Sequence, residues 1–296
     1  MANPWIKAIR LRTLPLAWAC LTMGASLAHM SGTFDWLIYA LSLLTAFSLQ
    51  IASNLANDYG DAVSGLDSVY REGPSRTIQA GLITQSQMKM AIALACCAAL
   101  LFGVWLVLES FSDHNTRLIF IAIGLISIVA ALKYTMGKSP YGYSGWGDLF
   151  VLIFFGWVGV GGSFYLFTGS WSWDVLLPAS SLGLMAVAVL NVNNIRDIES
   201  DRRSGKYSIP VRIGRSNAVV YHAFILASAM GCMIVFGWLM HFQNFQWLFL
   251  LIMPLLVVNW LAVRSKREAM QLDPYLKQMA ITTLLLVVLF VIGNFI

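Results

Sequence analysis

The chain is poor in charge. Only 11% of its 296 residues are Asp, Glu, Lys or Arg, where a soluble domain carries about 25%, and that deficit excludes an ordinary water-soluble globule. Cysteine is scarce as well. Cys20, Cys96, Cys97 and Cys232 are the whole set, all inside apolar runs, with neither a disulfide framework nor zinc-ligand spacing; they read as small packing residues. Of the four histidines, His29, His114 and His241 fall on one side of the apolar runs and His222 stands alone inside one. None belongs to a metal set, and each reads as a packing or interfacial residue. No nucleic-acid signature is present, and the bases are spread among short connections, so a nucleic-acid partner is excluded and no protein partner is indicated.

What the chain does have is hydrophobic length. Apolar residues make up 58% of it and its mean hydropathy is +0.72. A membrane-spanning helix needs roughly 20 apolar residues to cross a hydrocarbon core about 30 Å thick. Runs of that kind lie near 14–31, 36–57, 89–109, 117–134, 147–168, 176–196, 217–240, 246–264 and 278–296. The expected fold is all-α and integral to the membrane, a single domain over 1–296 with about nine transmembrane helices. The first run follows Lys7, Arg10 and Arg12, lacks a small-residue cleavage site and is soon followed by a second run. It reads as a span rather than a cleavable signal.

The charges that exist are placed asymmetrically. On the nine-span map, 18 of the 19 Lys and Arg lie with the N-terminal arm and the connections near 58–88, 135–146, 197–216 and 265–277; only Arg117 lies on the other side. The positive-inside rule assigns that side to the cytoplasm. An odd number of spans then leaves the C-terminus on the opposite face.

Two polar runs break the apolar pattern. The second span ends in Asn54, Asn57, Asp58 and Asp61, followed by Asp67, Arg71 and Arg76; the sixth ends in Asn191, Asn193, Asn194, Arg196, Asp197 and Asp201, followed by Arg202, Arg203 and Lys206. A step of four advances a helix by about 400°, so Asn57 and Asp61 share a face, and Asn193, Asp197 and Asp201 line one face over roughly 12 Å. Ionisable residues at membrane depth are costly and ordinarily face the bundle interior. Two such helices facing each other make a cage of oxygen ligands, which suits a hard cation such as Mg²⁺. The bases after each cluster, with Lys133 and Lys138, supply charge for an anion such as a diphosphate. Each cluster closes an even-numbered span and precedes a basic loop, which reads as an internal repeat of a four-helix unit over 1–135 and 136–265, with the helix at 278–296 appended. The register is unequal. Gly65 stands where the second cluster has Asp201, and the nearest acid, Asp67, is reached only if the chain breaks near Gly60 and Gly65.

The runs NDYGDAVSGLD at 57–67 and NNIRDIESDRRSGKYSIPVRIG at 193–214 resemble the two aspartate-rich motifs of the UbiA-type prenyltransferases. RTLP at 12–15, GPSRTIQAGLIT at 73–84 and YTMGKSPYGYSGWGDLFVLIFFGW at 134–157 add to a likeness closest to the menaquinone branch, the 1,4-dihydroxy-2-naphthoate polyprenyltransferases. The resemblance implies a UbiA-type bundle around a central cavity, with two related four-helix halves, in the bacterial cytoplasmic (inner) membrane. It implies transfer of a polyprenyl group from a polyprenyl diphosphate to 1,4-dihydroxy-2-naphthoate with loss of CO₂, giving demethylmenaquinol. It also implies Mg²⁺, two ions, held by Asn57, Asp61, Asp67, Asn193, Asp197 and Asp201, with Asp61 and Asp197 as the catalytic pair. The diphosphate would meet Arg71, Arg76, Lys133, Lys138, Arg202 and Lys206. Tyr134, Tyr141, Asn54 and Asp58 are expected in the substrate pocket, and Tyr143, Phe154, Phe155 and Trp157 could complete a dry aromatic chamber for an allylic cation. Two other readings fit the same residues: prenyl transfer to another acceptor, such as 4-hydroxybenzoate or a tetrapyrrole, and an ion-coupled transporter.

Overall fold

The computed structural model describes residues 3–64 and 77–296. Asp67, Arg71 and Arg76 lie outside the described residues. Among those described the chain is helical throughout, without a strand. In order come α1 (Pro4–Ile9), α2 (Leu14–Met30), α3 (Trp36–Val63), α4 (Gln85–Ser110), α5 (His114–Lys133), α6 (Gly147–Val151), α7 (Ser163–Thr168), α8 (Leu176–Arg196), α9 (Ile198–Arg203), α10 (Ile209–Leu239), α11 (Met253–Ser265) and α12 (Ala269–Phe295). A π-helical stretch, Leu152–Gly162, joins α6 to α7 into one span over Gly147–Thr168. Likewise the tight helical turns of Asn244–Ile252 run into α11. Eight of the described helices are long and apolar enough to cross a membrane, and α2 is a shorter apolar helix beside them. These are the nine runs read from hydropathy.

The helix ends depart from the apolar runs for local reasons. Hydropathy places the end of the second span at 57, yet α3 continues to Val63, carrying Asn57, Asp58 and Asp61 on the helix itself. Asp35 caps α3 by accepting from the Leu37 and Ile38 amides. Thr84 and Gln87 form a reciprocal capping box that starts α4 ahead of its apolar run. At α10, Gly214 interrupts the helix with φ 77 and ψ 161, a conformation open to glycine. The kink separates the amphipathic first turns from the apolar span that hydropathy begins at 217. Gly60 does not break α3, contrary to the sequence expectation. It is helical, and its bare Cα admits the neighbouring chain, since a Cβ there would stand 2.5 Å from the Thr135 carbonyl oxygen.

Burial is uneven. One large apolar cluster joins α2, α8, α10, α11 and α12 with the Leu152–Thr168 region, and two smaller clusters serve α3, α4 and α5. The most apolar 18 residues of the Trp173–Arg196 span are 72% buried, those of α5 only 6%. Leucines exposed on α4 and α5 are what a lipid-facing surface carries, since lipid tails are as apolar as leucine. Between the heavily packed half and the thin one lies a cavity of about 760 Å³.

Candidate active site

The polar end of this cavity is lined by α3, α8 and the segment that follows α9. Asn54, Asn57 and Asp61 from α3, Asn193 and Asn194 from α8, and Lys206 all line it. The wall continues through Tyr134, Tyr141, Tyr143, Phe154, Phe155 and Trp157, the six aromatics expected from the sequence. Tyr141 stacks on Phe150 at 4.1 Å and meets Tyr134 edge-on at 5.4 Å. The remaining lining is largely aliphatic.

Most of these polar side chains are held by neighbours. Thr135 Oγ1 donates to Asn57 Oδ1 at 3.0 Å and to the Ala56 carbonyl at 3.1 Å, an approach that Gly60 makes room for. The Tyr143 hydroxyl donates to Asp61 Oδ1. Its loop is tied in turn to the second cluster by the Tyr207 amide, which donates to the Tyr143 carbonyl at 2.8 Å, and by Arg212, which donates to the Ser144 carbonyl at 2.9 Å. Arg196 is buried and reaches three groups together. It donates to both carboxylate oxygens of Asp197 at 2.7 and 2.8 Å, to Asn193 Oδ1 at 2.9 Å, and to Asp273 Oδ1 on α12 at 2.7 Å.

Asn193, Asp197 and Asp201 do not share one straight helix, as their spacing predicted. α8 ends at Arg196, and Asp197, with φ −98 and ψ 12, is the joint to α9. The four-residue step still survives in the backbone: the Asp197 amide donates to the Asn193 carbonyl at 3.1 Å and that of Asp201 to the Asp197 carbonyl at 2.8 Å. The second cluster therefore bends around its own joint.

Lys206 shows that the two clusters converge. Its Nζ lies 2.9 Å from Asp201 Oδ2. Burial alone would lower its pKa, but the negative charges of Asp201, Asp61 and Asp197 outweigh that and hold it above the ordinary lysine value. Asp201 is pushed above the usual carboxylate range, chiefly by burial, with Asp197 and Asp61 adding to the shift and Lys206 opposing it. Acids of both motifs thus act on the one lysine, which lines the same cavity as Asp61.

The donor set fits a hard metal ion, being amide and carboxylate oxygen throughout. Among the described residues no group of three or more His, Cys, Asp or Glu stands together as a metal site, so the amide oxygens of Asn57 and Asn193 would be needed as ligands, along with water or substrate phosphate. Asp197 and Asp201 are not among the residues that line the cavity; Asp197 is paired with Arg196 and Asp201 with Lys206. Other expected residues sit elsewhere. Asp58 is buried under α1, paired with Arg10 and accepting from Thr77 at 3.4 Å, and it does not line the cavity. Lys133, Lys138 and Arg202 are exposed and do not line it either; Arg202 stands 3.6 Å from Glu199. Arg10, which the sequence reading left out of the site, does line it. So does Thr135, whose only sequence signal was its place inside the YTMGK run.

The profile of the UbiA prenyltransferase family matches residues 16–293. The chain belongs to that family. Its relatives include the 1,4-dihydroxy-2-naphthoate octaprenyltransferase of Escherichia coli K12, 44% identical over 98% of this chain and 94% of the relative. The protein of the same name from Haemophilus influenzae is 40% identical over the same shares. Among solved structures, the apo UbiA homolog from Aeropyrum pernix K1 superposes with a TM-score of 0.72 at 15% identity, covering 97% of this chain and 98% of that one. A UbiA homolog from Archaeoglobus fulgidus bound to GPP and Mg²⁺ gives 0.59 at 14% identity, covering 97% and 99%. These two likenesses confirm the UbiA fold.

His222 is a correction of another kind. It is not isolated in its span but is the centre of a polar chain whose Asn191, His222 and Asn259 are fully buried. Asn259 Nδ2 donates to the Tyr275 carbonyl and to Gln278 Oε1, so Asn259 Oδ1 accepts from His222 Nε2 at 2.9 Å. His222 Nδ1 then accepts from Asn191 Nδ2 at 3.2 Å. This chain ties α8, two residues before Asn193, to α10, α11 and α12. Hydropathy is blind to it because each member is a single polar residue in an apolar run.

Proposed function

We propose that the protein transfers a polyprenyl group from a polyprenyl diphosphate to 1,4-dihydroxy-2-naphthoate, with loss of CO₂, giving demethylmenaquinol. The observation that carries this reading is that Asn57 and Asp61 of the first motif and Asn193 of the second line the polar end of one largely apolar cavity together with Lys206, whose Nζ stands 2.9 Å from Asp201. The names of the two whole-length relatives supply the acceptor. Asn57, Asp61, Asn193, Asp197 and Asp201 would hold Mg²⁺, two ions, with Asp67 a further candidate. Bound metal supplies positive charge that stabilises the departing diphosphate.

The chain's own residues do the rest. Lys206 adds a point charge for phosphate oxygens. Tyr143 and Thr135 orient Asp61 and Asn57 before substrate arrives, so little reorganisation is left for the reaction. The aromatic wall excludes water from the allylic cation, and ring faces stabilise positive charge. The distribution of Lys and Arg supports a cytoplasmic N-terminus, with the polar end of the cavity on the same side.

The test is prenyl transfer by purified protein in detergent or liposomes. One prenyl diphosphate is offered with the dihydroxynaphthoate, 4-hydroxybenzoate or a tetrapyrrole, with Mg²⁺ and with EDTA. Turnover of the naphthoate alone, lost with EDTA and restored by Mg²⁺, is expected. Preferential turnover of another acceptor, or ion flux without diphosphate release, overturns the reading.

A further inference from the structure

We propose that Asn194 recognises a ring hydroxyl of the aromatic acceptor and so helps set acceptor specificity. The inference rests on the prenyl-transfer reading above and names the acceptor's partner within that site. Asn194 is 3% exposed and lines the cavity, and its Oδ1 has no hydrogen-bond partner among the described residues. A buried amide oxygen left unpaired is costly in any fold, and more so in a wall shared with hydrocarbon. A group retained at that cost beside a cavity is matched to something the cavity receives.

Three ligand chemistries enter this cavity: diphosphate oxygens, a hydrocarbon tail and the oxygens of the aromatic acceptor. The charged residues of the described lining are Arg10, Asp61 and Lys206, and the anionic groups fall to the cations and the metal. The tail offers no hydrogen bond. A neutral carboxamide suits a neutral hydroxyl, which donates and accepts, and with Oδ1 unpartnered the end-for-end turn of the amide gives up no bond at that atom.

Position supports the same choice. Asn194 follows Asn193 on α8, about 100° further round the helix, so it faces a different sector from the amide that Arg196 holds. Ser42 Oγ is also unpartnered and also lines the cavity. It stands 15 residues before Asn57 on α3, about 22 Å along the helix, too far from the reacting end to meet the same ring.

Asn194→Leu, near-isosteric and apolar, tests this beside Asn194→Ser. The readouts are melting temperature, KM for each substrate, the Mg²⁺ requirement, and inhibition by 1-hydroxy-2-naphthoate and 4-hydroxy-2-naphthoate, each lacking one hydroxyl. Asn194→Leu is expected to melt no lower than the parent, because it removes an unpaired polar atom. KM for the dihydroxynaphthoate should rise about 10- to 100-fold, with the prenyl diphosphate KM and Mg²⁺ requirement unchanged. One of the two analogues should inhibit parent and variant equally, having no hydroxyl to lose. Asn194→Ser should recover part of the affinity.

A marked fall in melting temperature for both variants, an unchanged acceptor KM, or a loss confined to diphosphate or Mg²⁺ overturns the proposal. If the parent itself does not prenylate the naphthoate, the prenyl-transfer reading fails first, and the two failures are told apart.

Discussion

Gly60→Ala is a one-methyl perturbation with a calculable obstruction. The added Cβ would stand 2.5, 2.8 and 2.9 Å from the carbonyl oxygen, carbonyl carbon and Cβ of Thr135, all well inside van der Waals contact. Two of the three are backbone atoms, which have no rotamer to escape into. Either α3 or the chain at Thr135 must shift, and overpacking of this kind costs about 1–3 kcal/mol. The shift also falls on the site. Thr135 holds Asn57, and Asp61 is the next residue after Gly60. Misplacing a catalytic group by about 1 Å costs on the order of 100-fold, so kcat should fall roughly 10- to 100-fold while the protein still inserts and folds. Gly231→Ala is the control, since a Cβ there meets nothing within 4 Å, and helix propensity favours Ala over Gly by about 1 kcal/mol in water. The assay is prenyl transfer against Mg²⁺ concentration together with thermal unfolding in detergent. If Gly60→Ala keeps the parental kcat and melting temperature, the close approach does not hold the site.

Four further substitutions, two of them with a comparison variant, probe the same architecture. Asp61→Asn and Asp197→Asn should each abolish turnover while leaving folded protein in the membrane; near-normal prenylation at ordinary Mg²⁺ by either variant would remove the metal-cage reading. Arg196→Ala leaves Asp197 and Asp273 facing each other without the shared cation, and removing one member of a buried ion pair costs about 3–5 kcal/mol. It should lower the melting temperature more than Arg202→Ala, whose side chain is 51% exposed, and the reverse order counts against the arrangement. His222→Leu strands Asn259 Oδ1 and leaves Asn191 Nδ2 only the Ala218 carbonyl at 3.4 Å, for a loss of about 1–3 kcal/mol, and His222→Gln should recover part of it; equal melting of parent and His222→Leu refutes the buried chain.

The fold was legible because hydrophobic length is a one-dimensional property, and all nine runs carry helices. Their ends were less so, because caps such as Thr84 with Gln87 and the kink at Gly214 are set by hydrogen bonds and torsions that hydropathy does not register. For the site, the four-residue spacing identified which side chains belong together, and the cavity gathers Asn57, Asp61, Asn193 and Lys206 as expected. What spacing could not show was the joint at Asp197, or that Asp58 turns under α1 to meet Arg10. Side-chain direction at a helix end depends on which neighbour arrives from far along the chain. Gly60 makes the point sharply: the sequence suggests a flexible breaker, and the structure uses the same lack of a Cβ for contact. The proposed role of Asp67 falls on residues outside those described.

The two clusters are also unequal in what supports them. The second sits on a helix fixed at two levels, by Asn191 with His222 and by Arg196 with Asp273, inside the large apolar cluster. The first rides on α3, whose partners α4 and α5 carry small clusters and broad lipid-facing surfaces. In a membrane, association between helices gains little from apolar contact, because lipid is as apolar as the neighbour. The link between the halves at the polar end therefore depends on specific polar contacts: Tyr143 to Asp61, and the Tyr207 and Arg212 ties to the Tyr143 loop. These same contacts hold Asp61 and the loop beside the second cluster. A cation bound by both clusters would add to that link, so the bond between the halves and the readiness of the site rest on one set of residues.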